Sequence, residues 1–162
     1  MKTSSKILCV GVLMILTISV NAQKKGGEVE AIKALIERET KAFFEIDRKT
    51  WADSWAHVPY AFWSFADTTD VNSFSGWEQI EKGFADYFRT AKPSTAKIER
   101  SWLGLEVKVY GNGAYVRFNQ HVKDDSRRPP QAEIRILEKI NGQWKIVCVS
   151  VIALEKDNEP RR

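Results

Sequence analysis

Cysteine and histidine are both scarce in this chain of 162 residues, with two of each. The cysteines are Cys9 and Cys148, and the histidines are His57 and His121. That pattern excludes a disulfide framework, and no zinc-binding Cys/His spacing occurs. Long apolar runs are lacking as well. The longest, Ile7 to Val20, is about 14 residues, against the ~20 that a membrane-crossing helix needs. There is no dense basic run, so the formal net charge of +4 gives no support for nucleic-acid binding. No internal repeat of solenoid length is present. What remains is the size and composition of one domain, with 43 % hydrophobic residues, enough for a single core.

The N-terminus carries an export pattern. Lys2 and Lys6 form a positive n-region, Ile7–Val20 an apolar run, and Asn21-Ala22 a small-residue cleavage site. A signal peptide over residues 1–22 is therefore expected, with a mature chain that starts at Gln23. That chain would be periplasmic or extracellular, with no membrane association after processing. Its removal takes two lysines and no acid, so the mature net charge is lower by two. Cys148, inside an apolar strand, is then the sole cysteine and reads as a small buried hydrophobe. The rest reads as one domain over 28–156 with a polar tail over 157–162.

Along that domain, residues 23–27 (QKKGG) read as a flexible leader. A helix is expected over Glu28–Ile46, with Val29, Ile32, Leu35, Ile36, Phe43 and Ile46 on one buried stripe. Glu39 falls on that stripe, where a carboxylate is costly unless it is paired or faces a wet cavity. A short helix over Arg48–Ala56 places Trp51 and Trp55 on one side, and residues 60–65 read as a strand. Asp67–Ser75 is polar and turn-rich, a loop. A helix capped by Ser75 runs from Gly76-Trp77 to about Thr90, and Pro93 breaks the chain. Lys97–Tyr110 and Ala114–Lys123 form a hairpin around Gly111-Asn112-Gly113. With a two-residue Asn112-Gly113 turn, Val109 pairs with Val116, Val107 with Phe118 and Leu105 with Gln120. Tyr110, Tyr115, Glu106, Arg117, Asn119 and His121 then share the other face. Residues 131–154 form a second hairpin around Asn141-Gly142, the strongest short-range hairpin signal. Its second strand is apolar on both alternating faces, as in the middle of a sheet. The class is α+β: a curved antiparallel sheet packed on N-terminal helices.

These landmarks carry a resemblance. They are the helix end Ile46-Asp47, the aromatic helix Trp51-Ala52-Asp53-Ser54-Trp55, the Gly76-Trp77 helix start, and the hairpin from Leu137 to Val147. In this order they resemble the nuclear-transport-factor-2-like superfamily, specifically its SnoaL-like branch. The resemblance covers residues 28–155. It implies a cone-shaped sheet with a pocket at its open end and dimers formed through the sheet. The strands look most like the association domain of calcium/calmodulin-dependent protein kinase. Tyr115-Val116-Arg117 and Glu133-Ile134-Arg135 match its arginine motifs, so Arg117 and Arg135 are expected to point into the cone. Val151, Cys148 and Ser150 stand where that domain has a third arginine and two histidines.

Three readings follow. The first is a secreted small-molecule-binding or accessory domain that holds a small carboxylate between Arg117 and Arg135. Tyr115, Trp55, Tyr60 and Trp63 would line its pocket, with Glu133 and Glu39 nearby. The second is an isomerase, cyclase or hydrolase with Glu39 or Glu133 as a base activated by burial. No spacing selects a catalytic dyad, and Asp53, His57 and His121 read as surface or helix-end residues. The third is structural, with Arg117 and Arg135 neutralising Glu39, Glu133 and Glu106. None of the readings implies a cofactor or a metal. A homodimer is expected across the apolar face of Leu105, Val107, Val109, Val116 and Phe118.

Overall fold

The structure is a computed structural model that describes residues 6–94, 98–101, 106–122 and 129–153. Helix α1 runs from Lys6 to Glu45 without a break, so residues 23–27, expected as a flexible leader, are helical. Gly26 and Gly27 cost roughly 1 kcal/mol each in a helix, too little to interrupt one of 40 residues. Its apolar stripe buries Ile32, Leu35 and Ile36. Ile46 stops it in the left-handed region at φ +61°, and the Asp47 N–H donates back to the Ala42 carbonyl at 2.9 Å. Asp47 then caps α2 (Arg48–Ser54) by accepting from the Thr50 N–H at 3.0 Å. The bonds from Thr50 hold the Asp47 carboxyl below its ordinary range. α2 ends two residues before Ala56, because Trp55 turns extended and bridges to Ile146 in the sheet.

Trp51 and Trp55 are each 2 % exposed, and Trp51 lies 5.5 Å from the Trp77 ring and 4.8 Å from that of Phe88. Those two partners sit on α3 (Trp77–Thr90). Gly76, rather than Ser75, occupies its N-cap, at φ +85° and with no side-chain cap bond. A Cβ there would lie 3.2 Å from the Pro59 carbonyl, and the Gly76 N–H donates to Ala61 at 2.7 Å. The positive φ and this tight approach together favour glycine at the position.

Among the described residues, seven strands make the sheet: β1 (Phe62–Ala66), β2 (Val71–Ser75), β3 (Ile98–Ser101), β4 (Val107–Tyr110), β5 (Gly113–Val122), β6 (Gln131–Ile140) and β7 (Gln143–Ala153). Their order is β2-β1-β7-β6-β5-β3, and β4 pairs with the other half of β5. The result is an α+β fold with a curved, unclosed sheet packed on the helices. It is mixed rather than purely antiparallel, since β1 runs parallel to β7. The chain reaches that position only after two helices, so no hairpin dictates its direction. β2 was expected as loop. It is an exposed edge strand that packs only Phe74, and its polar residues hide any alternation. Asp67 makes the turn, accepting from the Thr69 N–H at 2.8 Å and the Asp70 N–H at 2.9 Å.

The β6–β7 hairpin is as expected, with Asn141 and Gly142 at φ +50° and +78°. The β4–β5 turn is not. Tyr110 pairs with Gly113, so the turn is Gly111-Asn112, and Val107 faces Val116 instead of Phe118. The slip is two residues, which leaves every side chain on its expected face. The covered face is the reverse of the expected one, however. Val116 and Phe118 are 0 % exposed and share one core with Ile32, Leu35 and Ile36. Leu105 lies outside the described residues.

Candidate functional site

Arg135 sits in the middle of the sheet's inner face, opposite Val116 on β5 and Val149 on β7. Both of those neighbours are buried, so a guanidinium there needs partners within the chain. A β-bulge places Val147 between the pairs Ile136–Cys148 and Leu137–Ile146. It shifts the alternation of β7, so that Ile146 before it and Val149 and Val151 after it all point inward.

Three chain segments satisfy Arg135. Nη1 donates to Glu39 Oε2 at 2.6 Å, and Nε and Nη2 donate to Glu133 Oε2 at 3.0 and 2.9 Å. Nη2 also donates to Thr40 Oγ1 at 3.3 Å, and that hydroxyl donates to Glu39 Oε2 at 3.3 Å. Glu39, Arg135 and Glu133 are 5, 4 and 2 % exposed. Burial works against the charge on Arg135, but Glu39 and Glu133 outweigh it and hold the guanidinium above its ordinary range. Glu133 lies two residues away on the same face of β6, and Glu39 comes from the buried stripe of α1.

Beside this network lies a cavity of about 180 Å³. Its polar wall includes Glu39, Glu133, Arg135 and Gln120, and its aromatic wall includes Phe43, Trp51, Trp63 and Phe84. The rings brace one another: Trp63 meets Phe84 edge-on at 4.9 Å, and Phe43 meets it at 5.6 Å. Trp55 also lines the cavity, and its Nε1 is buried with no partner among the described residues. Gln120 Oε1 is in the same state.

Of the expected site residues, the structure brings together Glu39, Glu133, Arg135, Trp55 and Trp63. It separates three others. Arg117 pairs with Ile134, one residue out of phase with Arg135, and is exposed on the outer face. Tyr115 lies on that same face at 36 % exposure. Successive side chains of a strand face opposite ways, and Val116 and Phe118 take the inner positions. The expected site between Arg117 and Arg135 therefore does not form. Tyr60 is 60 % exposed and donates to Glu138 Oε2 at 2.8 Å, a bond that raises its pKa. Glu106, expected on the same face as Arg117 and as one of its partners inside the cone, is buried, whereas Arg117 is exposed on the outer face. His57 is a helix-end residue: its Nε2–H donates to the Ala52 carbonyl at 3.0 Å and its ring stacks on Trp77 at 4.2 Å. Asp53 is exposed and paired with Lys49. Burial pushes the Cys148 thiol up. Among the described residues, no cluster of His, Cys, Asp and Glu could hold a metal ion.

Two polar residues of the site went unread in the sequence. Gln120 had a signal, as the one polar residue in the inward set Ala114, Val116, Phe118, Gln120 and Val122. Thr40 had none beyond its place next to Glu39.

No protein-family model matches this sequence, and no curated protein matches it either. Solved structures do match its fold. A nuclear-transport-factor-2-like protein of unknown function from Shewanella baltica superposes with a TM-score of 0.60 at 14 % identity, over 80 % of this chain and 95 % of its own. A structure from Thiobacillus denitrificans, named for a calcium/calmodulin-dependent protein kinase type II association domain, gives 0.61 at 12 %, over 76 and 94 %. One from Streptomyces avermitilis, named for a dehydratase of the nuclear-transport-factor-2-like family, gives 0.61 at 15 %, over 81 and 99 %. The chain has the nuclear-transport-factor-2-like fold, and at such identities the likeness carries no function.

Proposed function

We propose that this protein is a small-molecule-binding domain whose ligand occupies the cavity between the Glu39–Arg135–Glu133 network and the aromatic wall. The observation that carries the reading is that cavity itself, a concave space in which an aromatic wall faces convergent polar groups. The test uses tryptophan fluorescence, because Trp51, Trp55 and Trp63 line the space. Small ring compounds should quench the wild type and raise its melting temperature. At 100 times its dissociation constant a ligand stabilises by about 2.7 kcal/mol. Val149→Phe, which fills the cavity, should abolish both effects. No response across a broad panel, or equal responses in the two proteins, would overturn the reading.

A second reading is favoured by the two carboxylates on the cavity wall. Glu39 or Glu133 would take a proton from a bound substrate, in an isomerase, cyclase or hydrolase of the SnoaL-like type. Arg135 already holds one oxygen of each, which favours binding over catalysis.

Export belongs to the same proposal, on the strength of Lys2, Lys6, the apolar run and Asn21-Ala22. N-terminal sequencing from the native host should begin at Gln23, and a retained Met1 would refute it. So does a homodimer across the face of the sheet away from the helices, with other residues than those expected there, since Val116 and Phe118 point into the core. Tyr115, Ile136 and Ile152 are 36, 43 and 49 % exposed there, with Cys148 paired to Ile136 between them. Light scattering should give twice the monomer mass at tens of micromolar.

A further inference from the structure

Every bond that Arg135 and Thr40 make to the two acids ends on an Oε2 atom. Oε1 of Glu39 and Oε1 of Glu133 accept none among the described residues. The buried side-chain atoms that lack both open surface and a partner belong to Trp55, Arg100, Gln120 and Trp144, and neither Oε1 is one of them. Each Oε1 therefore keeps some open surface, although the two residues are only 5 and 2 % exposed. Both residues line the cavity, so that is the space these oxygens face. An ionised carboxylate oxygen can only accept, so each asks for a donor. Because Arg135 holds each Oε2, the carboxylates are fixed before a ligand arrives, and docking costs little further ordering.

The charges on the wall do not balance. Two carboxylates stand against the single guanidinium of Arg135, which leaves one negative charge in excess. Arg100 does not cancel it. That residue lies off the cavity, 5.8 Å from the Phe118 ring centroid, and Glu37 acts on it together with Glu133 and Glu39. With the exposed Glu37 counted, the group holds three carboxylates and two guanidiniums, again one negative charge in excess.

The aromatic wall suits a cation too. Ring faces are negative and attract a cation within about 6 Å of the centroid, tryptophan most strongly. Trp51, Trp55 and Trp63 line the cavity with Phe43 and Phe84. An anion would meet like charge on one wall and negative ring faces on the other. Size sets the rest of the ligand. An engineered apolar cavity of about 150 Å³ takes one benzene, so about 180 Å³ suits a single ring with a short substituent.

We propose that the cavity recognises a small organic cation, an ammonium carried on a single ring or a similarly compact apolar body. Its N–H bonds donate to the free oxygens of Glu39 and Glu133, and its apolar part rests on the aromatic wall. The proposal rests on the cavity-binding reading above and names the ligand class.

The experiment titrates benzylammonium, benzyl alcohol and benzoate into the full chain near neutral pH, by calorimetry and thermal shift. The three share one ring and differ in the charge of a short substituent. The wild type should bind benzylammonium roughly tenfold or more tighter than benzyl alcohol, and benzoate weakest. Glu39→Gln and Glu133→Gln should each weaken benzylammonium by roughly tenfold and leave benzyl alcohol unchanged. A triple variant, Glu39→Leu with Glu133→Leu and Arg135→Met, removes the three charges together and covers the case in which a single variant does not fold. It should bind benzylammonium no tighter than benzyl alcohol. Val149→Phe should abolish binding of both, and Arg117→Gln, on the outer face, should behave as wild type. Equal affinity of the wild type for benzylammonium and benzyl alcohol, a preference for benzoate, or an ammonium preference that survives in the triple variant would overturn this proposal while cavity binding stands. If none of the three binds, both readings fall.

Discussion

The two sides of Phe118 treat the same functional group in opposite ways. On one side Arg135 meets two carboxylates and a hydroxyl, all nine-tenths buried or more. On the other side Arg100 presents an unpartnered edge beside an unpartnered amide oxygen. The first arrangement is paired: every guanidinium nitrogen of Arg135 donates to an acid or a hydroxyl within the chain. The second leaves its cation unanswered among the described residues, although its two nitrogens touch no open space and Arg100 is absent from the cavity wall. The difference is therefore one of stability, a buried guanidinium with partners against one without.

Substitutions at the arginines and their acids separate these roles. Arg135→Ala leaves Glu39 and Glu133 buried without their cation and should cost about 3–5 kcal/mol in urea unfolding. A loss below about 1 kcal/mol would show that Arg135 is not their partner. Replacing all three ions together, as Glu39→Leu, Glu133→Leu and Arg135→Met, should recover that loss and add roughly 1–2 kcal/mol, since well-packed apolar groups often outperform a buried ion cluster. Arg100→Met should raise stability by about 1 kcal/mol in the absence of ligand, because it removes an unanswered buried charge and keeps the stem over Phe118. A loss there would mean that Arg100 is already satisfied. Arg117→Ala, on the exposed outer face, should stay within about 0.5 kcal/mol of wild type.

Much of this was legible before any coordinates. The stripe on α1 identified Glu39 as a buried acid, and the Asn141-Gly142 turn set the β6–β7 hairpin, which put Glu133 and Arg135 on one face. Both rest on strong local periodicity. Arg117 was misplaced because its direction came from a family likeness, whereas the alternation Ala114, Val116, Phe118 and Gln120 on its own strand already pointed it outward. β2 was missed because an edge strand with one packed residue has no periodic apolar signal. The bulge at Val147 could not be foreseen in a run that is apolar at nearly every position. Arg100 was passed over for a different reason. What distinguishes it is the lack of a partner, and that depends on where β3, β5 and α1 meet rather than on any local pattern.

The central claim, that the cavity beside the Glu39–Arg135–Glu133 network receives a ligand, is tested most directly by tryptophan fluorescence: a small ring compound should quench the wild type and leave Val149→Phe unchanged. Equal quenching in the two proteins, or none across a broad panel, would contradict the account.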